Sequence, residues 1–111
     1  MAFGDRRAYA MEGVSWDDGA GRWVGRVLAQ RIAGDEARRM AREFVAERRT
    51  WAYVYRRGRV VGGAIHRARA DDRVDPALFD ADGVALLGDD AFWRMPCAWP
   101  DPTVERLDGS R

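Results

Sequence analysis

Arginine and aromatic side chains occur together in the middle of this 111-residue chain. Residues 38–69 hold ten arginines and two acidic residues. A guanidinium group binds phosphate through two parallel hydrogen bonds, and an aromatic ring can stack on an unpaired base. The combination predicts contact with the backbone of a nucleic acid.

The candidates for phosphate binding lie on two neighbouring segments. They are Arg38, Arg42 and Arg49 on one flank of a predicted helix, and Arg56, Arg57 and Arg59 at the tip of a predicted hairpin. A two-stranded ribbon with a basic tip can enter the major groove of DNA. Arginine-rich turns are also common on surfaces that only face water, so this alternative stays open.

The strand that leads into the hairpin tip supplies three rings on one face, because strand side chains alternate. They are Trp51, Tyr53 and Tyr55. These rings are candidates for base stacking if their faces are exposed. The alternative is that they form the core face of a sheet.

Charge divides the chain into two parts. Residues 1–70 hold fifteen arginines against eight acidic residues, a net charge of +7, and residues 71–111 hold four against ten, a net charge of −6. An acidic segment can compete with phosphate for a basic surface of the same molecule. We therefore expect residues 71–111 either to fold back over the arginines or to complete a small core.

Several kinds of chemistry are excluded or disfavoured by composition. The chain has no lysine, which excludes a Schiff-base lysine and a Walker A motif. One histidine, His66, and one cysteine, Cys97, are too few for a structural zinc site. We interpret His66 as an ordinary residue at a strand end, and Asp17-Asp18, with Glu12 nearby, as turn chemistry rather than a carboxylate site.

We accordingly predict no catalytic residues, no metal and no cofactor. One cysteine allows no internal disulfide, so we expect a cytoplasmic protein. The sequence has no apolar run of about 18 residues, so we expect no membrane span.

The elements that must position the arginines follow from periodicity. Residues 8–16 alternate loosely and predict a strand, which a Gly- and Asp-rich loop connects to residues 22–32. The second segment also fits a helical period, but its β-branched and aromatic content favours a strand. Residues 35–50 predict a helix with Asp35 as its N-cap. Its buried stripe would be Ala37, Met40, Ala41 and Phe44.

The rest of the chain predicts a hairpin and an appendage. Residues 50–55 and 60–65 form the strongest strand pair, with Gly58 in its turn. A helical turn opens at Asp75-Pro76, a short strand covers residues 83–88, and a second helical turn covers 89–95. We therefore predict an α+β fold, a two-layer ββαββ sheet on one main helix with a short C-terminal α/β appendage.

The predicted domain organisation follows the charge boundary. Residues 1–70 would form a basic ββαββ domain, and residues 71–111 an acidic extension packed on it. The last ten or so residues would be poorly ordered.

Residues 9–46, in which Trp16-Asp17-Asp18-Gly19-Ala20-Gly21-Arg22-Trp23-Val24 leads to a helix, resemble two families. One is the opening of HicB-type antitoxins, and the other is the arm-type DNA-binding domain of tyrosine recombinases. Each resemblance covers about a third of the chain and implies a small regulatory or mobile-element protein. Neither includes a diagnostic motif, and neither implies a role for any particular residue.

Three classes of function stay open at this point. The first is a small non-enzymatic protein that contacts nucleic-acid backbone. The second is a protein-interaction module, such as an antitoxin, an immunity protein or a phage-type inhibitor, with exposed strand edges that allow a homodimer. The third is a small enzyme with an aromatic pocket.

Overall fold

The computed structural model describes residues 7–70 and 74–88 and the backbone of 105–106. Its strands are β1 (Tyr9–Asp17), β2 (Arg22–Ile32), β3 (Trp51–Arg56), β4 (Arg59–His66), β5 (Val84–Gly88) and β6 (Glu105–Arg106), and its helix is α1 (Gly34–Arg48). The strands form one sheet in the order β5-β4-β3-β1-β2-β6. All neighbours are antiparallel except β2 and β6, which are parallel.

This architecture confirms the predicted α+β fold. The ββαββ order is present, and β5 confirms the short strand predicted over residues 83–88. Residues 22–32 form a strand along their whole length, in keeping with their β-branched and aromatic content. The predicted helical turn over 89–95 lies outside the described residues. So do the last ten residues, apart from the two of β6.

The helix has the predicted core-facing stripe with one change. Ala37, Ala41 and Val45 are fully buried at intervals of four residues, whereas Met40 and Phe44 are half-buried beside them. Small side chains at these positions let the helix approach the sheet closely. α1 ends at Arg48, and the next residue, Arg49, has a left-handed φ of 57° and donates its backbone N–H to the carbonyl of Val45.

The predicted N-cap at Asp35 is wrong. The helix is capped by Ala33, whose side chain has no oxygen to accept a hydrogen bond. Asp35 lies two residues further on, within the first turn, and its Oδ1 accepts the backbone N–H of Glu36 at 2.9 Å. Both carboxylates still lie at the positive end of the helix dipole, which explains their position without a capping role.

Both faces of the sheet are covered. The helix packs on the face that carries Met11, Ala52 and Val54. The opposite face carries Val14, Trp51, Tyr53 and Ile65, and it packs against Val74 and the half-buried Ala70 and Phe79. The helix therefore covers one face of the sheet, and a loop segment with Ala70, Val74 and Phe79 covers the other.

The segment after β4 is built from local hydrogen bonds. Asp75 caps the short 3₁₀ turn Pro76–Leu78, with its side chain accepting the N–H of Ala77 at 2.9 Å, which confirms the predicted helical turn. β5 then pairs with β4 and forms one edge of the described sheet, with Leu86 48% exposed. A homodimer through a strand edge stays a prediction.

We expect Gly62→Ala to destabilise the fold. Gly62 has a φ of 156°, and a Cβ there would lie 2.6 Å from the carbonyl oxygen of Leu87 on β5. Backbone strain and the clash together should lower the free energy of unfolding by about 3 kcal/mol. Urea unfolding followed by circular dichroism measures this change.

Gly88→Ala is the matched control, because Gly88 pairs with Gly62 across the two strands. Apart from its neighbours in the chain, no atom of the described residues lies within 4 Å of the Cβ that it would gain. Its effect should stay within about 0.5 kcal/mol. Equal effects of the two substitutions would contradict the described packing of β5 on β4.

Candidate functional site

Six arginines gather at the end of the sheet that carries the turn between β3 and β4. We call this set the arginine rim: Arg7, Arg31, Arg38, Arg56, Arg57 and Arg59. The strand register places them together, because Tyr9 pairs with Arg56 on one side and with Ile32 on the other, and Arg56 pairs with Arg59. Neighbouring strands are about 4.8 Å apart, so the four strand ends span about 15 Å.

The turn at the rim is a two-residue hairpin. Its central residues, Arg57 and Gly58, have φ angles of 52° and 80°. Positive φ at both positions is the mark of a type I′ turn, which suits the twist of antiparallel strands. The backbone N–H of Arg57 also donates to the carbonyl of Ala8 at 2.9 Å. This bond fixes the turn against the residue that precedes β1.

The chain before β1 and the end of β2 bring two further arginines to the rim. Arg31 is exposed and has a left-handed φ of 59°, next to the strand's last residue. Arg7 reaches it, with Nη1 donating to the carbonyl oxygen of Arg31 at 3.4 Å. Sequence reasoning missed both residues, because only the register of β1 with β2 and β3 places them beside Arg56.

Arg38 joins the rim through Tyr9. Its guanidinium carbon lies 5.8 Å from the centre of the Tyr9 ring, a cation–π distance. The first helical turn adds two carboxylates to the same end, Asp35 and Glu36. Glu36 lies 3.9 Å from Arg39, a cation outside the rim. Six guanidinium groups against these two acids leave the described part of this end basic.

Two of the predicted phosphate ligands lie elsewhere. Arg42 binds the extension, with Nε 2.8 Å from Asp80 and Nη2 2.6 Å from Asp82. These carboxylates raise the pKa of Arg42 above its ordinary value, Asp82 more than Asp80. The pKa of Asp80 is lowered, first by the backbone N–H of Val84 and then by Arg42. Arg49 follows the helix at the opposite end of the sheet from the 57–58 turn.

Two of the three aromatic candidates present no ring face to solvent, and the third, Tyr55, does so only in part. Trp51 and Tyr53 are buried, and the indole Nε1 of Trp51 donates to the Tyr53 hydroxyl at 3.0 Å. Tyr55 is half-buried and donates its hydroxyl to Oε1 of the buried Glu12 at 2.7 Å. The condition for base stacking, an exposed ring face, is therefore not met by Trp51 and Tyr53, because Val74 and Phe79 pack on this side of the sheet.

The remaining polar candidates have local structural roles. Asp17 Oδ1 accepts the N–H of Ala20 at 3.1 Å within the β1–β2 loop, as expected for turn chemistry.

Within residues 7–70 and 74–88, no three His, Cys, Asp or Glu side chains come together to hold a metal ion. No helix in the same ranges has the length and apolarity needed to cross a membrane.

His66 ends β4, as predicted, and is 8% exposed. Its Nδ1 accepts the backbone N–H of Ala68 at 3.0 Å. Burial lowers its pKa below the ordinary value, and the positive charges of Arg49 and Arg67 lower it further. A histidine held neutral in this way makes a structural cap for the following turn.

The chain matches no protein-family model, no curated protein and no solved structure.

We expect the stability of the protein to fall as the pH drops below about 6.5. The unfolded chain binds a proton at His66 near that pH, whereas the folded chain resists protonation until its lower pKa is reached. His66→Asn keeps an acceptor for the Ala68 N–H but does not titrate. The melting temperature, measured between about pH 7.5 and about pH 5, should fall more steeply for the native protein than for His66→Asn. Parallel curves would show that His66 is not buried in its neutral form.

Proposed function

We propose that this protein is a non-enzymatic binding protein that contacts the phosphate backbone of a nucleic acid through the arginine rim. The observation that carries the proposal is the convergence of Arg7, Arg31, Arg38 and the 56–59 turn on one end of the sheet. Guanidinium groups suit phosphate because their forked donors bind two of its oxygens at once.

The dimensions of the rim fit a duplex. A DNA duplex carries one phosphate charge per roughly 1.7 Å of its axis, so 15 Å of contact faces about nine charges. The β3–β4 hairpin is a two-stranded ribbon with an exposed tip at Arg57, Gly58 and Arg59, and the major groove is wide enough to admit such a ribbon. Strand register and the β3–β4 turn bring the backbone of these residues to the same end of the sheet.

Arg42 and the buried rings have no part in this interface. Arg42 already holds Asp80 and Asp82, so phosphate would have to displace two carboxylates to reach it. The interface therefore relies on charge, and the half-buried ring beside it, Tyr9, already lies against Arg38. Contacts of this kind position a protein on the backbone and carry little sequence information. The predicted cytoplasmic location stays a prediction.

The salt dependence of binding tests this proposal. We expect affinity for a short DNA duplex to fall steeply with salt, because each arginine–phosphate contact releases a counterion. The triple variant Arg7→Gln, Arg57→Asn and Arg59→Gln removes three rim charges. It should reduce the slope of log K against log salt concentration by about 2.7. Fluorescence anisotropy with a labelled duplex measures the slope.

The substitution at the turn is chosen to preserve the fold. Asparagine followed by glycine is a favoured type I′ pair, so Arg57→Asn should keep the hairpin and its melting temperature. The matched control replaces three exposed arginines outside the rim by glutamine: Arg26, Arg39 and Arg67. Net charge changes equally in both triple variants. Equal slopes in the two variants, or no duplex binding by the native protein at low salt, would contradict the proposal.

A further inference from the structure

A concave site lies at the other end of the sheet, away from the arginine rim. It is a pocket of ≈ 250 Å³ where the end of β1, the end of α1 and the start of β3 meet. The residues that line it are Ser15, Trp16, Trp23, Arg48 and Thr50. Its volume lies slightly below the usual range of small-molecule sites, about 300 to 1,000 Å³, and suits one ring system with a small substituent.

The pocket is walled by indoles that are held in place. Trp16 and Trp23 pair across β1 and β2, with ring centres 5.3 Å apart and planes at 75°. Trp23 in turn lies 4.9 Å from the buried Trp51, and the guanidinium of Arg69 lies 4.5 Å from the Trp23 ring. Trp16 ends this row and is 49% exposed. A large ring fixed at one edge and open to water is a stacking surface for a flat ligand.

Thr50 lines the pocket, and its buried hydroxyl has no partner among the residues that the structure describes. Thr50 is 2% exposed, and its Oγ1 makes no hydrogen bond there. Buried polar atoms are nearly always hydrogen-bonded, because the loss of water is otherwise uncompensated. A ligand with a hydrogen-bonding edge would supply the missing partner. Ser15, a half-buried pocket residue, adds a second hydroxyl.

Arg48 supplies positive charge at the mouth of the pocket. It is the exposed last residue of α1, and its guanidinium lies 5.5 Å from the Phe44 ring. The carbonyl end of a helix disfavours anions, but Arg48 and the adjacent Arg49 place two cations there. The mouth can therefore accept an anionic group joined to a ring within.

We propose that this pocket binds a nucleotide. The base stacks on Trp16, the edge of the base hydrogen-bonds to the Thr50 hydroxyl, and the phosphate contacts Arg48. The same chemistry is offered by a free nucleotide and by an unpaired nucleotide of a single strand. The site shares no residue with the arginine rim and does not depend on duplex binding.

Calorimetric titration with adenosine monophosphate, adenosine and inorganic phosphate tests the site on the full chain. We expect the monophosphate to bind more tightly than either adenosine or phosphate. Trp16→Ala should weaken its binding about tenfold through loss of stacking. Arg48→Gln should weaken the monophosphate but leave adenosine unchanged, and Arg39→Gln, on the same helix, should change neither.

Thr50→Val should weaken ligand binding without lowering the stability of the fold. Valine has the shape of threonine without the hydroxyl, and the hydroxyl has no partner to lose. The variant should therefore melt at or above the native temperature and bind the monophosphate about fivefold more weakly. Thr50→Ser, which keeps the hydroxyl, should retain more of the affinity than Thr50→Val.

The source of the nucleotide follows from a parallel titration with a single-stranded oligonucleotide. If Trp16→Ala loses affinity for both the monophosphate and the oligonucleotide, the site is supported and its ligand is a nucleotide of a single-stranded nucleic acid. A loss confined to the monophosphate supports the site and assigns it to a free nucleotide. Monophosphate affinity unchanged in Trp16→Ala and Thr50→Val, or no monophosphate binding at all, overturns the proposal. None of these outcomes depends on the salt slope for the duplex.

Discussion

The alternation of large and small side chains along β3 is the constraint on which the structure depends. Trp51 and Tyr53 fill one face of the strand, and Ala52 and Val54 form the other. The small residues let α1 lie close to the sheet, while the rings need a second cover, which Val74 and its neighbours provide. Because β3 lies between β1 and β4, both faces of the sheet centre are dry. The arginine rim and the pocket beside Trp16 both lie at ends of the strands.

Most charged side chains lie outside the covered centre of the sheet. The centre of the sheet carries one buried carboxylate, Glu12, which accepts the Tyr55 hydroxyl. Most of the described arginines lie at strand ends or on the helix. Arg38 and Arg48 lie over aromatic rings, and Arg42 binds two carboxylates. The acidic extension uses two aspartates on Arg42, so part of the predicted attraction between the two halves of the chain is realised as a fixed contact. The two proposed sites therefore lie at opposite ends of the sheet. The arginine rim lies at one end, and the pocket beside Trp16 lies at the other.

Most elements of the fold could be predicted, because each has a local signal. The period of four in Ala37, Ala41 and Val45 and the glycine turn at Gly58 are visible in the sequence. The cover on the aromatic face was not predicted as such, since Ala70, Val74 and Phe79 form no periodic pattern and act only through tertiary contact.

The candidate site was predicted only in part, because some of its arginines meet only in the folded chain. Arg56, Arg57 and Arg59 are close in sequence and stay close in space. Arg31 and Arg7 join them only through the register of β1, and Arg42 leaves the set because Asp80 and Asp82 arrive from about 40 residues away.

The central claim is that the rim is the surface that meets phosphate. The most direct measurement is a ¹H–¹⁵N NMR titration of the full chain with a short DNA duplex. The account predicts that shift changes concentrate at the amides of Arg7, Arg31 and residues 56–59, and changes concentrated at Trp16, Arg48 and the 17–21 loop instead would contradict it.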